Sequence, residues 1–360
     1  MIQLWKLRRE INRLGQQLKA IPEFIWEPAA QRRHNRAFEV GFPVHKGIQP
    51  LGKKVALLLI YQPYGIQKSI LETCAYLQDQ GFTLFIVANT PLTPLDLDNL
   101  YPHVWRVIER PNFGYDFGGY RDGIKTLWKW KVIPESLLVL NDSIWFPILP
   151  KQSLIHDLEQ SQADITGTIP RRKGSIFFLE SYCYLINKST FSSAEFRQFW
   201  NQLRLTSNKY KVIRRGERGH SEAMIKADRK LIGLYPPQKF KSEIAKMNDD
   251  FLYKTVLYGA HTDGKIEKMR QLLLTQKTDT NWRSKVLTYI DHALERGQSY
   301  SSFPYAMINM FQYPILKKSN DHVAKLWRRA YLRGVDAGDI PAPSTSIMAE
   351  IRSKVKSDKL

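Results

Sequence analysis

The sequence predicts an α/β protein built on a mostly parallel sheet. Four short apolar runs, three of them rich in β-branched or aromatic residues, have the length and composition of buried strands. They occupy residues 53–61, 82–89, 104–110 and 136–143. Between them, residues 67–80 and 119–132 show helical apolar spacing, and residues 90–103 form an acidic, proline-containing crossover. Strands that alternate with crossovers pair in parallel and carry helices on the faces of the sheet.

Composition and cysteine content narrow the class of protein. With 360 residues, of which 43% are hydrophobic, the chain is long enough to bury a substantial core. Cys74 and Cys183 are far apart in apolar surroundings, which argues against a disulfide framework or a cysteine zinc site and favours a reducing cytosol. The longest apolar run, VALLLIY, is too short to span a bilayer, and the N-terminus lacks the continuous apolar segment of a signal peptide. We therefore expect neither a transmembrane helix nor export.

The net charge of +20 predicts a partner that carries negative charge. Nucleic acid, anionic lipid and a phosphorylated substrate would each satisfy it, but the sequence contains no recognisable nucleic-acid motif, so we expect no specific nucleic acid as a partner. A non-catalytic basic protein that binds nucleic acid or acidic glycan stays open as the alternative to an enzyme, because aromatic residues interleaved with positive charge suit that role.

Two polar turns follow predicted strands at the edge where parallel sheets bind ligands. The first, NFGYDFGG, follows the strand that ends at Arg110 and contains Asp116. The second, Asn-Asp-Ser, closes the strand that begins near Leu137 and contains Asp142. We expect the two carboxylates to face one crevice.

Small and basic residues after Asp116 extend this predicted site. Gly118 and Gly119 would let a ligand or a neighbouring strand approach the backbone, and Arg121, in the first turn of the following helix, could contact a phosphate. The helix N-terminus would add favourable dipoles for an anion. The alternative is purely structural: Asp116 or Asp122 caps the helix, and the glycines only form the bend.

The order of several motifs resembles that of a known family. RPNFGYDFGGYRDGI, SLLVLNDSIWFPI, ADITGTI, FLESYCYLI, RGERGHSEAMI and SSFPYAMINMFQYPILKK lie within roughly residues 50–320, in the order expected of the rhamnan synthesis protein F family. The resemblance implies a GT-A-like nucleotide-binding domain that transfers a sugar, rhamnose or a related hexose, from a nucleotide-diphosphate donor to a cell-surface polysaccharide or lipid-linked acceptor. It implies donor binding by residues of the two turns, namely Asn112, Gly114, Asp116, Gly118, Gly119, Arg121, Asn141, Asp142 and Ser143.

Such a transfer needs compensation for the charge of the departing diphosphate and a base for the attacking hydroxyl. Arg121 suits the first task. GT-A enzymes often use Mg²⁺ or Mn²⁺ at an Asp-x-Asp strand end, but Asp142 is the only carboxylate of Asn-Asp-Ser. A strong metal site is therefore not expected, and transfer without a metal, with Asp142 holding donor hydroxyls, stays open.

The candidate catalytic bases are Glu217, His220 and Glu180. Glu217 and His220 lie at helical spacing near the start of an apparent helix, where Glu217 could instead stabilise the helix N-terminus beside neighbouring arginines. Glu180 interrupts an apolar strand pattern, and a carboxylate there is costly to bury without a task or a partner.

The two ends of the chain predict a membrane contact and a helical extension. An apolar stripe at helical spacing, among basic residues, is formed by Leu4, Leu7, Ile11, Leu14, Leu18 and Ile21. Such a helix would bind an anionic membrane surface, or alternatively pack on its own domain or form a short coiled coil. The predicted organisation is a basic amphipathic segment at 1–50, a GT-A-like domain at 51–260, a helical extension at 261–335 and a loose tail at 336–360. The predicted location is cytoplasmic, peripheral on the inner face of the cell membrane.

Overall fold

The computed structural model describes residues 21–276, 279–295 and 299–358. The strands are β1 (Val44–Lys46), β2 (Lys54–Ile60), β3 (Phe82–Ala88), β4 (Arg106–Glu109), β5 (Ser136–Asn141), β6 (Ile144–Trp145), β7 (Ile165–Gly167), β8 (Pro170–Lys173), β9 (Ile176–Leu179), β10 (Cys183–Asn187), β11 (Leu231–Gly233) and β12 (Leu316–Lys317). The α-helices of the first part are α1 (Ile21–Val40), α2 (Lys68–Asp79), α3 (Pro94–Leu100), α4 (Tyr115–Lys129), α5 (Leu154–Gln160), α6 (Lys188–Phe191), α7 (Ala194–Gln202), α8 (Lys209–Val212) and α9 (Gly219–Lys226). Those that follow are α10 (Pro237–Ile244), α11 (Asp249–Leu257), α12 (Gly264–Thr275), α13 (Trp282–Glu295), α14 (Ser299–Ser302), α15 (Pro304–Phe311), α16 (His322–Asp336) and α17 (Thr345–Ser357).

The centre of the described chain is an eight-stranded sheet in the order β1-β4-β3-β2-β5-β10-β7-β11. Its middle strands, β4-β3-β2-β5, are all parallel, with Leu57 of β2 between Phe85 of β3 and Val139 of β5. Strand β10 runs antiparallel to β5 and β7, β1 runs antiparallel to β4, and β11 is parallel to β7. The prediction of an α/β fold with a mostly parallel sheet is confirmed. The order of the parallel strands reverses between β2 and β5, so their carboxyl ends form the switch point at which such sheets bind ligands.

The four predicted strands are β2, β3, β4 and β5. Strands β2 and β3 are buried along almost their whole length, which is why each has a continuous apolar sequence instead of an alternating one. Successive residues face opposite layers of the protein: Ala56 and Leu58 belong to one core, and Leu57 and Leu59 to the other. Helices therefore have to cover both faces of the sheet.

Helix α4 covers one face and begins four residues earlier than the helical spacing predicts, at Tyr115 instead of Gly119. Glycine disfavours a helix in isolation, which is why the sequence predicts a turn here. In the fold, a Cβ atom at Gly119 would overlap the side chain of Leu59 on β2. The missing side chain lets α4 pack closely on the sheet, and this contact outweighs the local preference.

The opposite face is covered by α2 and by C-terminal helices. Ile347 and Ile351 of α17 are buried in the same core as Ala56 and Leu58 of β2. On α2, Ser69 donates hydrogen bonds from its backbone N–H and its Oγ to the carboxylate of Glu350, at 3.0 and 2.6 Å. The prediction of a loose tail at 336–360 is therefore wrong for α17, because its apolar side is part of the core.

Two further expectations concern cysteines and membranes. Cys74 and Cys183 are buried free thiols, and burial raises the pKa of each to about 12. In the part of the chain that the structure describes, no helix has the length and hydrophobicity needed to cross a bilayer. The predicted amphipathic stripe from Leu4 to Ile21 lies outside the described residues, except for the backbone of Ile21, where α1 begins.

Candidate active site

The two predicted turns meet at the switch point between β2 and β5. Asp142 follows β5, and its Oδ2 accepts hydrogen bonds from the backbone N–H of Tyr61 at 2.7 Å and from Nε2 of Gln62 at 2.6 Å, both just after β2. Asn141, the last residue of β5, donates from Nδ2 to Oδ2 of Asp116 at 3.1 Å. The structure thus brings the carboxylates of Asp116 and Asp142 to one place, as the sequence predicts.

Burial opposes the ionisation of both carboxylates. Burial raises the pKa of Asp116 to about 6, and the charge of Asp142 adds to the rise, whereas Lys209 and Lys317 oppose it. Burial also raises the pKa of Asp142, against the effect of the two hydrogen bonds it accepts. Half-buried carboxylates with a raised pKa indicate a place for a bound cation or for hydroxyl groups that donate to them.

A series of hydrogen bonds leads from the carboxylate pair to Glu217. Nδ2 of Asn141 also donates to the hydroxyl of Tyr120 at 2.9 Å, and its Oδ1 accepts from N and Oγ of Ser143 at 3.1 and 2.5 Å. Tyr120 donates to the carbonyl of Ser181 at 2.8 Å. Ser181 donates from N and Oγ to Oε2 of Glu217, at 3.0 and 2.9 Å. Ser143 therefore fixes the side chain of Asn141 at the end of β5, and Asn141, Tyr120 and Ser181 link that end to a third carboxyl group.

Glu217 has the environment of a general base. It lies in a π-helical stretch, Ile213–Arg218, that leads into α9, and π-helical turns are rare and concentrate at functional sites. Burial raises its pKa to about 7, the charge of Glu180 adds to the rise, and the hydrogen bonds from Ser181 oppose it. A carboxyl group that titrates near neutral pH can both accept and release a proton.

Glu180 lies instead in a closed cluster of charges. It is 7% exposed and accepts hydrogen bonds from Nε of Arg171 at 2.6 Å, Nζ of Lys317 at 2.7 Å and the hydroxyl of Tyr300 at 3.1 Å. Burial alone would raise its pKa, but the charges of Lys317 and Arg171 outweigh burial and lower it to about 2. A carboxylate this acidic is a poor base, so the catalytic assignment of Glu180 is corrected to a structural one.

His220 also departs from its predicted role. Its ring, 5% exposed, is surrounded by aromatic side chains. These are Tyr184, Phe196, Phe199 and Trp200. Burial lowers the pKa of His220 to about 3, so the imidazole is neutral and a weak base. It shares with Glu217 a cavity of only about 10 Å³. We therefore assign His220 to the packing behind Glu217 and not to catalysis.

Arg121 lies outside the crevice. Because α4 begins at Tyr115, Arg121 is in the second turn of the helix, where it is 2% exposed. Its Nε donates to the carbonyl of Trp200 at 3.1 Å, its Nη2 donates to Oδ1 of Asn35 at 3.0 Å, and its Nη1 lies 3.3 Å from Oδ1 of Asp122. The expected phosphate contact of Arg121 is wrong, because these buried partners occupy its guanidinium group.

The glycines shape the backbone before and within the first turn of α4. Gly114 is the N-cap residue and has a φ of 86°, which favours glycine. A Cβ at Gly118 would overlap the carbonyl of Phe113, and Gly119 faces β2. Asn112 is exposed at the start of the turn. Gly118 and Gly119 thus permit close backbone packing, which matches the neighbouring-strand alternative and not a ligand contact.

Two lysines from the C-terminal part were missed by the sequence reasoning. Strand β12 pairs with β6, and the backbone N–H of Lys318 donates to the carbonyl of Ser143 at 2.7 Å. Lys317 lowers the pKa of Asp116, as noted above. Burial lowers the pKa of Lys318, whereas Glu350 and Asp142 oppose that shift. The only available signal is the motif YPILKK, which occurs in the expected family order but carries no indication that it reaches the carboxylates.

The carboxylate pair fits a hard divalent cation. Among the described residues, no group of three or more His, Cys, Asp or Glu side chains could hold a metal ion. Mg²⁺, however, is commonly bound by one or two carboxylates together with phosphate oxygens of a substrate. Asp116 would supply the second carboxylate that the Asn-Asp-Ser sequence lacks, and a positive charge beside either group would favour its ionised form, which burial opposes.

Comparisons with solved structures give low similarity. The mannosyltransferase PcManGT from Pyrobaculum calidifontis, in complex with GDP-Man and Mn²⁺, is 8% identical, with a TM-score of 0.32 over 83% of this chain and 90% of that chain. The glycosyltransferase GlyE of Streptococcus pneumoniae TIGR4 is 10% identical, with a TM-score of 0.32 over 68% of this chain and 64% of that chain.

Comparisons by sequence give a higher similarity than those with solved structures. The uncharacterized protein y4gN of Sinorhizobium fredii (strain NBRC 101917 / NGR234) is 36% identical over 217 residues, which cover 59% of this chain and 57% of that relative. This chain thus spans little more than half the length of the curated relative that it matches. The family model described as rhamnan synthesis protein F matches residues 84–292, a range that contains Asp116, Asp142 and Glu217. Since the match covers more than half of the sequence, the chain belongs to the rhamnan synthesis protein F family.

Proposed function

We propose that this chain is a glycosyltransferase that moves a sugar from a nucleotide-diphosphate donor to a polysaccharide or lipid-linked acceptor. The observation that carries the proposal is the pair of half-buried carboxylates, Asp116 and Asp142, linked by the hydrogen bonds described above to Glu217, whose pKa burial raises to about 7. Membership of a family described by rhamnan synthesis supports a polysaccharide product and rhamnose, or a related hexose, as the sugar.

The carboxylate pair is assigned to the donor. A Mg²⁺ or Mn²⁺ ion bound by Asp116, Asp142 and the diphosphate would neutralise charge on the leaving group. In transfer without a metal, the same carboxylates would accept hydrogen bonds from donor hydroxyls, and Lys317 and Lys318 would supply positive charge. In both cases, the bonds from the residues after β2 fix the orientation of Asp142.

Glu217 is assigned to the acceptor. The acceptor oxygen forms a bond to the anomeric carbon of the donor as the bond from that carbon to the diphosphate oxygen breaks. The proton of the acceptor hydroxyl passes to the carboxylate of Glu217. The two hydrogen bonds from Ser181 hold the base in one orientation.

Replacing Glu217 with Gln is expected to lower sugar transfer about 100-fold or more, because the amide cannot accept the proton. In the parent protein the rate should rise with pH through about 7, since only the ionised form of Glu217 is a base. The variant should lose this rise while keeping its affinity for the donor. Release of nucleoside diphosphate from a rhamnose donor, followed from acidic to alkaline pH, measures both effects.

Glu222→Gln, in the first turn of α9, is the matched control and should behave as the parent. A Glu217→Gln variant with the parental rate and pH profile would exclude this residue as the base. A parent protein that releases no nucleotide but binds mixed nucleic acid in a strongly salt-dependent way would favour the alternative of a non-catalytic basic protein.

The proposed location is the inner, cytoplasmic face of the cell membrane, through the basic amphipathic segment that begins at Leu4. Its support is the sequence pattern alone. Removing residues 1–20 should reduce sedimentation with anionic liposomes and leave donor binding unchanged, and added salt should weaken the attachment of the parent. Neutral liposomes provide the control. Sedimentation that is unaffected by the deletion would mean that the segment does not bind the membrane.

A further inference from the structure

The small cavity at Glu217 lies between β9, β10 and α9 and has a volume of about 10 Å³. Apolar side chains form part of its wall, and five side chains with polar atoms complete it: Ser181, Tyr184, Glu217, His220 and Ser221. An enclosed space needs about 10–15 Å³ to hold one water molecule. The cavity is therefore at the lower end of the size for a single water, and it is too small for a substrate.

Two polar atoms of these side chains are buried without a hydrogen-bond partner among the described residues. They are the hydroxyl oxygen of Tyr184, on β10, and Nε2 of His220, on α9. Tyr184 is 3% exposed and His220 is 5% exposed, and their ring centroids are 5.9 Å apart. Buried polar side-chain atoms are nearly always hydrogen-bonded, either to the protein or to an ordered water. Because both residues line one small cavity, a single water molecule can serve both.

Glu217 provides the third hydrogen-bonding group of the cavity. Both hydrogen bonds from Ser181 end at its Oε2, and an ionised carboxylate has about four positions that accept a hydrogen bond. Burial raises the pKa of Tyr184, and the charges of Glu217 and Asp116 add to the rise, so its hydroxyl stays protonated and donates. A buried water typically makes about three hydrogen bonds. It would accept one from Tyr184, donate one to Glu217 and share one with His220.

The imidazole of His220 suits this water in either tautomer. Because burial lowers the pKa of His220 to about 3, the ring is neutral near neutral pH. Nε2 of a neutral imidazole either donates or accepts, and a water molecule can do the opposite in each case. His220 can therefore contribute to the site without accepting a proton.

We propose that one water molecule occupies this cavity and joins Tyr184 and His220 to the carboxylate of Glu217, so that both side chains are positioning residues for the base. This inference rests on the proposed function, in which Glu217 is the base, and deepens it by naming the groups that act on Glu217 from inside the protein. The water stabilises the ionised carboxylate and thereby limits the rise in pKa that burial causes.

The charged groups beside Glu217 and Tyr184, as far as the structure describes them, lie outside the cavity. They are Glu180 and Lys317, which act on Glu217, Asp116, which acts on Tyr184, and Arg215 and Arg218 of the same π-helical stretch. Replacing Tyr184 with Phe removes one hydroxyl and leaves these charges in place. A change in the pKa of Glu217 in that variant therefore reports on the water.

The first test is a crystal structure of the parent protein. One water molecule should lie within about 3.2 Å of the hydroxyl oxygen of Tyr184, of Nε2 of His220 and of a carboxylate oxygen of Glu217. A cavity without this water would overturn the inference.

The second test is the pKa of Glu217, measured by NMR of ¹³C-labelled glutamate carboxyl groups and assigned by the signal that Glu217→Gln loses. In Tyr184→Phe the pKa should rise by about 0.5–1 unit, because the ionised carboxylate loses support from one hydrogen-bond donor. The rise of sugar transfer with pH should move to higher pH by the same amount. The rate at alkaline pH should stay within about twofold of the parental rate, since the base is ionised there in both proteins.

His220→Phe should raise the pKa of Glu217 in the same direction, because the water loses its other partner. If that larger change impairs folding, Tyr184→Phe still decides, since it keeps the ring contacts of Tyr184. The matched control is Tyr331→Phe in α16, whose hydroxyl is also buried without a partner among the described residues but lies in the core on the other face of the sheet. It should leave the pKa of Glu217 unchanged. A parental pKa in Tyr184→Phe, or equal shifts in Tyr184→Phe and Tyr331→Phe, would refute the inference.

The crystal structure and the NMR titration need no donor or acceptor, which separates this inference from the proposed function. A parent that transfers no sugar but shows the water and the shifted pKa refutes transfer and keeps the water. A parent whose transfer depends on Glu217, with an empty cavity or an unchanged pKa in Tyr184→Phe, refutes the water alone.

Discussion

At mildly alkaline pH, the Asp116→Asn variant is expected to be more stable than the parent protein. The pKa of Asp116 is raised from 3.8 to about 6 by burial and by the charge of Asp142. A group with a higher pKa in the folded state than in the unfolded state stabilises the fold only while it is protonated, and this contribution is lost as the pH rises through the folded-state pKa. Asparagine keeps the size of the side chain and its acceptor oxygen for Asn141, but it cannot ionise. The expected gain is about 1–2 kcal/mol above neutral pH and none below pH of about 4.

The same substitution is expected to lower sugar transfer about 100- to 1000-fold, because the donor site loses one of its two carboxylates. Denaturant unfolding at acidic and alkaline pH, together with release of nucleotide from a donor, measures both results. Asp98→Asn, on the exposed side of α3, removes the same charge elsewhere and should change neither property. Lower stability of Asp116→Asn at alkaline pH would mean that Lys209 and Lys317 lower the pKa of Asp116 by more than burial raises it. Parental activity would remove Asp116 from the site.

Replacing Asp122 with Asn is expected to lower the free energy of unfolding at neutral pH by about 3–5 kcal/mol. Asp122 is fully buried, and its Oδ2 lies 2.6 Å from Nε of Arg110 and 2.7 Å from Nε2 of His34. Burial opposes ionisation of Asp122, but Arg110 and His34 outweigh it and lower the pKa. The neutral variant would leave Arg110 and Arg121, both buried, without the negative charge that lies between them.

The pH dependence of this loss has the opposite sign to that at Asp116. Because the folded state lowers the pKa of Asp122, its stabilising effect exists at neutral pH and is lost as the pH falls through the lowered pKa. Denaturant unfolding at neutral pH, with Asp98→Asn as the exposed control, measures the effect. A loss of less than about 1 kcal/mol, the value typical of exposed ion pairs, would mean that water reaches Arg110 and Arg121.

The parts of the fold that could be predicted from sequence depend on local patterns. Strands β2, β3 and β5 are continuous apolar runs, and β4 contains the apolar pair Val107 and Ile108, so the existence of the four strands follows from the sequence. The start of α4 does not, because glycine is a poor helix former and the place of Gly118 inside the helix depends on its close approach to the carbonyl of Phe113, which only the fold shows. Helix α17 at the end of the chain could not be predicted either, since the burial of Ile347 and Ile351 is a property of the assembled core.

In the candidate site, too, the residues that could be predicted from sequence are those that follow a local pattern. Asp116 and Asp142 could be placed together because each follows a strand that ends at the same edge of the sheet. Glu180 could be recognised as a buried carboxylate in need of partners, but Lys317 is 137 residues away and no spacing rule connects them. The role of Arg121 was misjudged for a related reason: its partners, Asn35 and Trp200, lie on helices far from it in sequence.

The central position of β2 affects how this protein can be shortened. The range matched by the family model begins at residue 84, inside β3, and so leaves out β2, which pairs with both β3 and β5. A fragment expressed to those limits would lack the strand that joins the two halves of the sheet, and the residues after it that bind Asp142. The stretch by which the family is recognised therefore leaves out part of the central sheet, and we expect a working truncation to keep β2, Lys54–Ile60, towards one end and the core helix α17 at the other.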